Sequence, residues 1–229
     1  MSSNGIQKNA SRDISSVIYD DLKDKILNLT LLPGTPLSES EICSTFNSSR
    51  TPFRTAMHRL ADQNLVDIMK YQEIRVSLIN LDSVKQFIYA RTAIEERVIR
   101  DFMAKDEALL IEDVDHLIRK QSIVFEQEKF KPEKFYSLDT SMHEIWFRTT
   151  EKLALWTLIN SSVDYTRVRM LDIKEKKDYK SIIDDHKELL EVIRKKDYNS
   201  VYPIIERHLT GGISRLEDRM NNNLDKYFK

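Results

Sequence analysis

The sequence predicts a mainly α protein: an N-terminal winged helix-turn-helix followed by an all-helical bundle of about six helices. Three observations predict it. Residues 49–66 carry a basic, amphipathic helical stretch directly behind a short capped one. Two short apolar runs, Leu65–Ile68 and Ile74–Leu78, follow as strand signals. From Asn80 onward the chain is a succession of long, charged, amphipathic stretches without strand signals. Four glycines and five prolines in 229 residues leave room only for short connections.

Taken in order, residues 1–10 are polar, have no apolar signal-peptide core and read as a flexible tail. Ile14, Val17, Ile18, Leu22, Ile26 and Leu29 mark the first amphipathic helix of a domain spanning 11–78, ended by the Pro33-Gly34 turn. Ser38 with Glu41 three residues on is a capping box opening a short helix, which carries Ile42, Cys43 and Phe46 and breaks at Asn47-Ser48. In the next helix Phe53, Ala56, Met57 and Leu60 fall on one buried face, while Arg50, Thr51 and Arg54 crowd the first turns on the opposite side. Ser49 is the expected N-cap, and Pro52 in the first turn loses no hydrogen bond. That pattern alone fits an ordinary helix with a solvated basic face equally well. The short helix and tight turn before it favour a helix-turn-helix, whose second helix turns Arg50, Thr51 and Arg54 to base edges and phosphates. Lys70-Tyr71-Gln72-Glu73 between the strands forms a small wing, and Arg59 and Lys70 join the reading side.

The second domain, 79–229, reads as helices at about 81–104, 107–129, 132–150, 152–171, 179–197 and 199–226 around one core. Trp146, Phe147, Trp156, Phe135 and Tyr165 are its expected aromatic filling. Histidine placement is the sharpest chemical signal. Asp139 and His143 are spaced i, i+4 and share a helical face, while His186 and His208 sit on the last two helices. Three imidazoles and a carboxylate suit a divalent ion such as zinc, nickel or manganese, with positions left for water or a ligand. Spacing alone fits ordinary core or surface histidines as well. His58 is placed to meet a DNA phosphate and His116 on the surface. Arg91 either pairs with Glu95 one turn away or turns into a cavity as a fork for a carboxylate.

Net charge does not advertise nucleic-acid binding: it is −1 overall, and residues 1–78 hold nine Lys or Arg against nine Asp or Glu. No apolar run approaches the ~18 residues of a membrane span. The single Cys43 cannot form an internal disulfide and reads as a buried core thiol, which fits a reduced cytoplasm.

The chain resembles the GntR family of bacterial transcriptional regulators. The resemblance is carried by Leu32-Pro33-Gly34-Thr35-Pro36-Leu37-Ser38-Glu39, Ser49-Arg50-Thr51-Pro52-Phe53-Arg54, Arg59-Leu60 and Leu65-Val66, in the family's order and spacing. It implies that Arg50, Thr51 and Arg54 are the main operator contacts, with Arg59 a weaker one. The family's wing carries a glycine at its tip; this chain does not, which puts minor-groove readout by Lys70 in question. The C-terminal half is similar to the helical effector domain of the FadR-type branch, called FCD, and in length closest to the VanR-like subgroup. That domain's metal pattern falls on Asp139 and His143, on His186 within Asp185-His186-Lys187-Glu188-Leu189-Leu190, and on His208 within Glu206-Arg207-His208-Leu209. Arg91-Thr92-Ala93-Ile94-Glu95 is similar to its Arg-x-x-Leu-Glu element, which makes Arg91 an effector contact, with Tyr165, Arg167 and Arg169 as further pocket residues. A Gly-Asn pair of the family stands here as Glu151-Lys152.

The resemblance thus implies a non-enzymatic, homodimeric, cytoplasmic repressor. It would bind double-stranded DNA at an inverted-repeat operator and respond to a small organic acid held at a divalent metal ion. Two other readings compete. In one, the ion itself is the signal. In the other the site is a metal-dependent hydrolase or lyase, for which no general base or nucleophile stands out.

Overall fold

The apolar stripes read from the sequence close on each other as helix pairs. The computed structural model describes residues 13–69, 73–105, 108–172, 176–220 and 224–229. The chain divides into two compact units, Met1–Ser77 and Leu78–Lys229.

In the first unit, α1 (Ile14–Leu27) buries Ile18, Tyr19, Leu22 and Ile26, and packs against α3 (Arg50–Asp62), which buries Phe53, Ala56, Met57 and Leu60. Between them α2 (Glu39–Thr45) begins at Ser38, whose Oγ accepts the Glu41 N–H at 3.3 Å. No residue of α2 is fully buried. Cys43 is therefore half-exposed rather than the core thiol expected, because a seven-residue helix lying on the surface has no inner face to cover it. Ser49 occupies the N-cap of α3, but its hydroxyl makes no capping bond. Asn47 turns the chain between α2 and α3 with φ of 46°. After α3 come β1 (Val66–Ile68) and β2 (Ile74–Val76), antiparallel with Val66 opposite Val76 and Ile68 opposite Ile74. Gly34, at φ 82°, lets the Pro33-Gly34 turn donate its N–H to Val76 O at 2.8 Å, tying the loop to the hairpin. Lys70 and the wing tip lie outside the described residues.

The second unit contains α4 (Leu81–Lys105), α5 (Ala108–Glu126), α6 (Pro132–Thr149), α7 (Leu153–Ile159), α8 (Val163–Asp172), α9 (Lys176–Lys195) and α10 (Val201–Met220). The stretch expected as one helix over 152–171 is thus two. Asn160-Ser161-Ser162 breaks it, and the Ser162 Oγ restarts the chain by accepting the Tyr165 N–H at 3.2 Å. Trp146, Phe147 and Phe135 are fully buried, with Phe102 edge-on to Trp146 at 4.7 Å. Helices α5 with α6, α5 with α9, and α4 with α10 form the main packed pairs. Tyr165 is only half-buried, on the cavity described below.

The start of this unit is pinned twice. The Ile79 N–H donates to Tyr227 O at 2.9 Å, and the Lys229 N–H donates to Ile79 O at 3.0 Å. The Asn80 N–H donates to Asp164 Oδ2 of α8 at 3.1 Å, while its side chain caps α4 by accepting the Ser83 N–H. Among the described residues no helix is long and apolar enough to cross a membrane.

Candidate metal centre and nucleic-acid interface

Four side chains from three helices converge in the bundle. Helix α6 supplies Asp139 and His143 one turn apart, α9 supplies His186, and α10 supplies His208. Their donor atoms all lie within 4.8 Å of one another. His143 Nε2 stands 3.2 Å from His208 Nε2, and His186 Nε2 stands 3.3 Å from the same atom. Asp139 Oδ1 is 3.4 Å from His186 Nε2 and 4.0 Å from His208 Nε2. A tetrahedral ion about 2.0–2.1 Å from each ligand would space its donors about 3.3–3.4 Å apart.

For two of the three rings the partner of the outer nitrogen fixes which face carries the lone pair. His143 Nδ1–H donates to Glu95 Oε2 at 2.6 Å, and His186 Nδ1–H donates to Gln121 Oε1 at 2.8 Å. Gln121 is oriented for this by its own amide, which donates to Phe135 O. Both inner Nε2 atoms are then acceptors, facing each other, His208 and a carboxylate oxygen. Two inner acceptors, His208 Nε2 and a carboxylate oxygen thus meet at one point, an arrangement that a cation would satisfy. His208 Nδ1 has Asp185 Oδ2 at 3.7 Å, beyond hydrogen-bond distance.

Electrostatics agree with a cation-ready site. Burial opposes ionisation of Glu95, but the Arg91 guanidinium and the His143 imidazole hold its carboxyl down at about 2. Burial likewise opposes ionisation of Asp139, and Arg169, His186 and His143 still keep it well below the usual carboxylate range. Burial pushes His186 and His208 below the ordinary imidazole value, with His208 adding to the effect on His186. Both imidazoles are therefore held neutral, the form that ligates metal.

Beside these ligands is a cavity of about 30 Å³, bordered by Asp139, His208, Tyr136, Tyr165, Arg169 and Arg215. That is room for about two or three water-sized centres. Of the arginines expected there, Arg169 lines it and donates to Asp139 Oδ2 at 2.5 Å, stacked on Tyr136 at 4.1 Å. Arg91 is buried away from the lining and donates to Glu95 Oε1 at 2.5 Å, the pair rather than the fork. Arg167 is fully buried, also off the lining, and ion-paired with Asp164. Sequence reasoning missed Gln121, Tyr136 and Arg215, and saw Glu95 only as Arg91's partner. Arg215 was findable: it lies seven residues, or two turns, beyond His208 on the same helical face. A methyl at Gly211 would come within 3.1 Å of its guanidinium, so Arg215 folds back over that glycine.

In the first unit Arg50, Thr51 and Arg54 are exposed together at the N-terminal end of α3. Arg59 points instead at α1, donating to Ser16 Oγ at 3.1 Å and stacking on Tyr19 at 4.0 Å. Glu73 is neutralised by Arg75, whose Nε donates to it at 2.7 Å. His58 and His116 are exposed.

Residues 14–76 match the model for bacterial regulatory proteins of the gntR family, and residues 86–211 match the FCD domain. The HTH-type transcriptional repressor RspR of Escherichia coli K12 is 26% identical over 204 residues, covering 89% of each chain. The gluconate operon transcriptional repressor of Bacillus subtilis 168 is 22% identical, covering 86% of this chain and 83% of that one. Among solved structures, E. coli McbR/YncC superposes with a TM-score of 0.70 at 16% identity, covering 92% of this chain and all of that one. A GntR regulator from Rhodococcus sp. RHA1 gives 0.68 at 16% identity, covering 89% and 97%. The chain belongs to the gntR family of bacterial regulatory proteins, and is a transcriptional regulator of the type that carries an FCD domain.

Proposed function

We propose that this regulator is a cytoplasmic homodimeric repressor whose hold on an inverted-repeat operator is set by a small carboxylate bound beside a divalent ion. Asp139, His143, His186 and His208 would hold the ion, which supplies a Lewis-acidic site for the carboxylate's oxygens. The observation that carries this is the meeting of imidazole lone pairs and a carboxylate oxygen at 3.2–3.4 Å, with Glu95 and Gln121 taking the outer protons. Arg169 and Arg215 at the cavity favour an anionic occupant, and the cavity's size admits a carboxylate head and little else. Thr51 stands with Arg50 and Arg54 on the operator-contacting end of α3. Dimerisation is supported by Leu153, Leu155 and Leu158, an exposed apolar run on α7.

A second reading has one observation in its favour. Some 30 Å³ is small for an organic ligand, as it would be if the ion alone were the signal. One experiment separates the two. Operator fragments selected from genomic DNA are titrated with metal-stripped protein, with the protein plus zinc, nickel or manganese, and with each ion plus a panel of small carboxylates. Release only when ion and carboxylate are both present supports the effector reading. Release that tracks the ion alone supports the sensor. A His186→Ala/His208→Ala protein that retains both its ion and its response removes the site altogether.

A further inference from the structure

The reading end of α3 does not stand alone. Glu39, the first residue of α2, places its carboxylate between the two arginines expected to contact DNA. Its Oε1 is 2.9 Å from Arg50 Nε and its Oε2 is 4.0 Å from Arg54 Nε. The Arg50 side chain is 81% exposed, so little besides this contact fixes its direction. Exposed ion pairs add little to fold stability, and α2 contributes no buried residue that this pair would anchor. Its effect is on where the guanidinium points. With Nε engaged by Glu39, the outward edge of Arg50 is its pair of Nη groups, the edge that meets guanine O6 and N7 together in a major groove.

We propose that Glu39 is a specificity-determining, positioning residue that aims Arg50 at a guanine and discourages its use on phosphate. The proposal rests on the reading of α3 as the DNA-reading helix. Two effects act in the same direction. An arginine already held in one direction loses less rotamer freedom when it docks on a base edge. A carboxylate beside two arginines also repels the phosphates that any DNA sequence offers, so sequence-independent contact is weakened while the base contact is kept. The combination raises the ratio of specific to non-specific binding without requiring a basic domain, in keeping with the nine-against-nine charge balance of residues 1–78.

The test uses the full chain and a library of randomised DNA duplexes. Selection is run with the native protein, Glu39→Gln, Glu41→Gln and Arg50→Ala. Glu41 lies in the same first turn of α2 and makes no ion pair among the described residues, so its variant removes an equal charge from that turn without touching the arginines. The native protein is expected to enrich a symmetric site with a guanine in each half. Glu39→Gln is expected to lose the preference at that guanine, as Arg50→Ala does. Its specific-to-non-specific ratio should fall about 5- to 100-fold, with non-specific affinity unchanged or higher. Glu41→Gln should keep the native preference, and matching thermal melts for the two glutamine variants show that folding is not the cause. An unchanged base preference and ratio in Glu39→Gln overturns the proposal and leaves the pair a passive surface contact. If Arg50→Ala also matches the native protein, the reading of α3 fails instead, and the Glu39 proposal falls with it.

Discussion

Glu95 carries two loads at once, accepting from His143 through Oε2 and from Arg91 through Oε1. Removing its charge should weaken the metal ligand rather than abolish it. Glu95→Gln is expected to lower metal affinity about 10- to 100-fold, measured by competition against a chromophoric chelator. Arg91→Ala would leave Glu95 buried with only the His143 N–H as partner, and should cost about 3–5 kcal/mol in urea unfolding. The pH response follows from the same groups. In metal-stripped protein the folded-state values of His186 and His208 lie below the ordinary imidazole value of 6.5. As pH falls through 6.5 the unfolded chain therefore takes up protons first, and stability drops. Glu95, held at about 2 against 4.5, adds stability that is present above 4.5 and lost as pH falls towards 2. Both act in one direction, so the urea midpoint of metal-stripped protein should fall steadily from pH 7 to pH 4. A flat profile would contradict the buried, neutral histidines. The Asp139–His143 pairing in the cluster was legible because the two residues share a face by helical spacing. Their outer partners were not: Glu95 and Gln121 lie 48 and 65 positions from the histidines they hold, and only tertiary packing joins them.

At the level of elements, the break between α7 and α8 is what sequence periodicity hid. Leu153, Trp156 and Ile159 before it and Val163, Val168 and Leu171 after it can be joined into one long apolar pattern, since Asn and Ser interrupt a helix only when a cap is made. The Ser162 hydroxyl makes that cap. Ser162→Ala is expected to destabilise the bundle by about 1 kcal/mol, measured by urea unfolding. Because α8 carries Tyr165 and Arg169 to the cavity, the variant should also loosen Asp139, which Arg169 holds. The winged elements were legible for a different reason. The capping serine, the Pro33-Gly34 turn and the spacing of Phe53, Ala56, Met57 and Leu60 are all local signals. The packing of Arg59 on Tyr19 was not legible, because charge and spacing do not tell an arginine over Tyr19 from one facing DNA.

For the molecule as a whole, one helix that borders the cavity and the segment following another reach the first residues after the winged unit. Helix α8 holds the Asn80 N–H through Asp164, and the segment that follows α10 holds both backbone groups of Ile79. Amide exchange at Ile79 should quicken when residues 224–229 are deleted, and exchange at Asn80 when Asp164 is replaced by Ala. No change in either would show that these bonds do not restrain the segment. The winged unit's cations have a consequence of another kind. Arg50 leans on Glu39 and Arg75 on Glu73, while Arg59 is spent on α1. A cation that keeps its carboxylate partner displaces fewer of the small ions condensed along a duplex. The plot of log binding constant against log salt should therefore be shallower than a count of the protein's arginines suggests, and the regulator should keep its operator across swings in ionic strength that would strip a more basic protein from DNA.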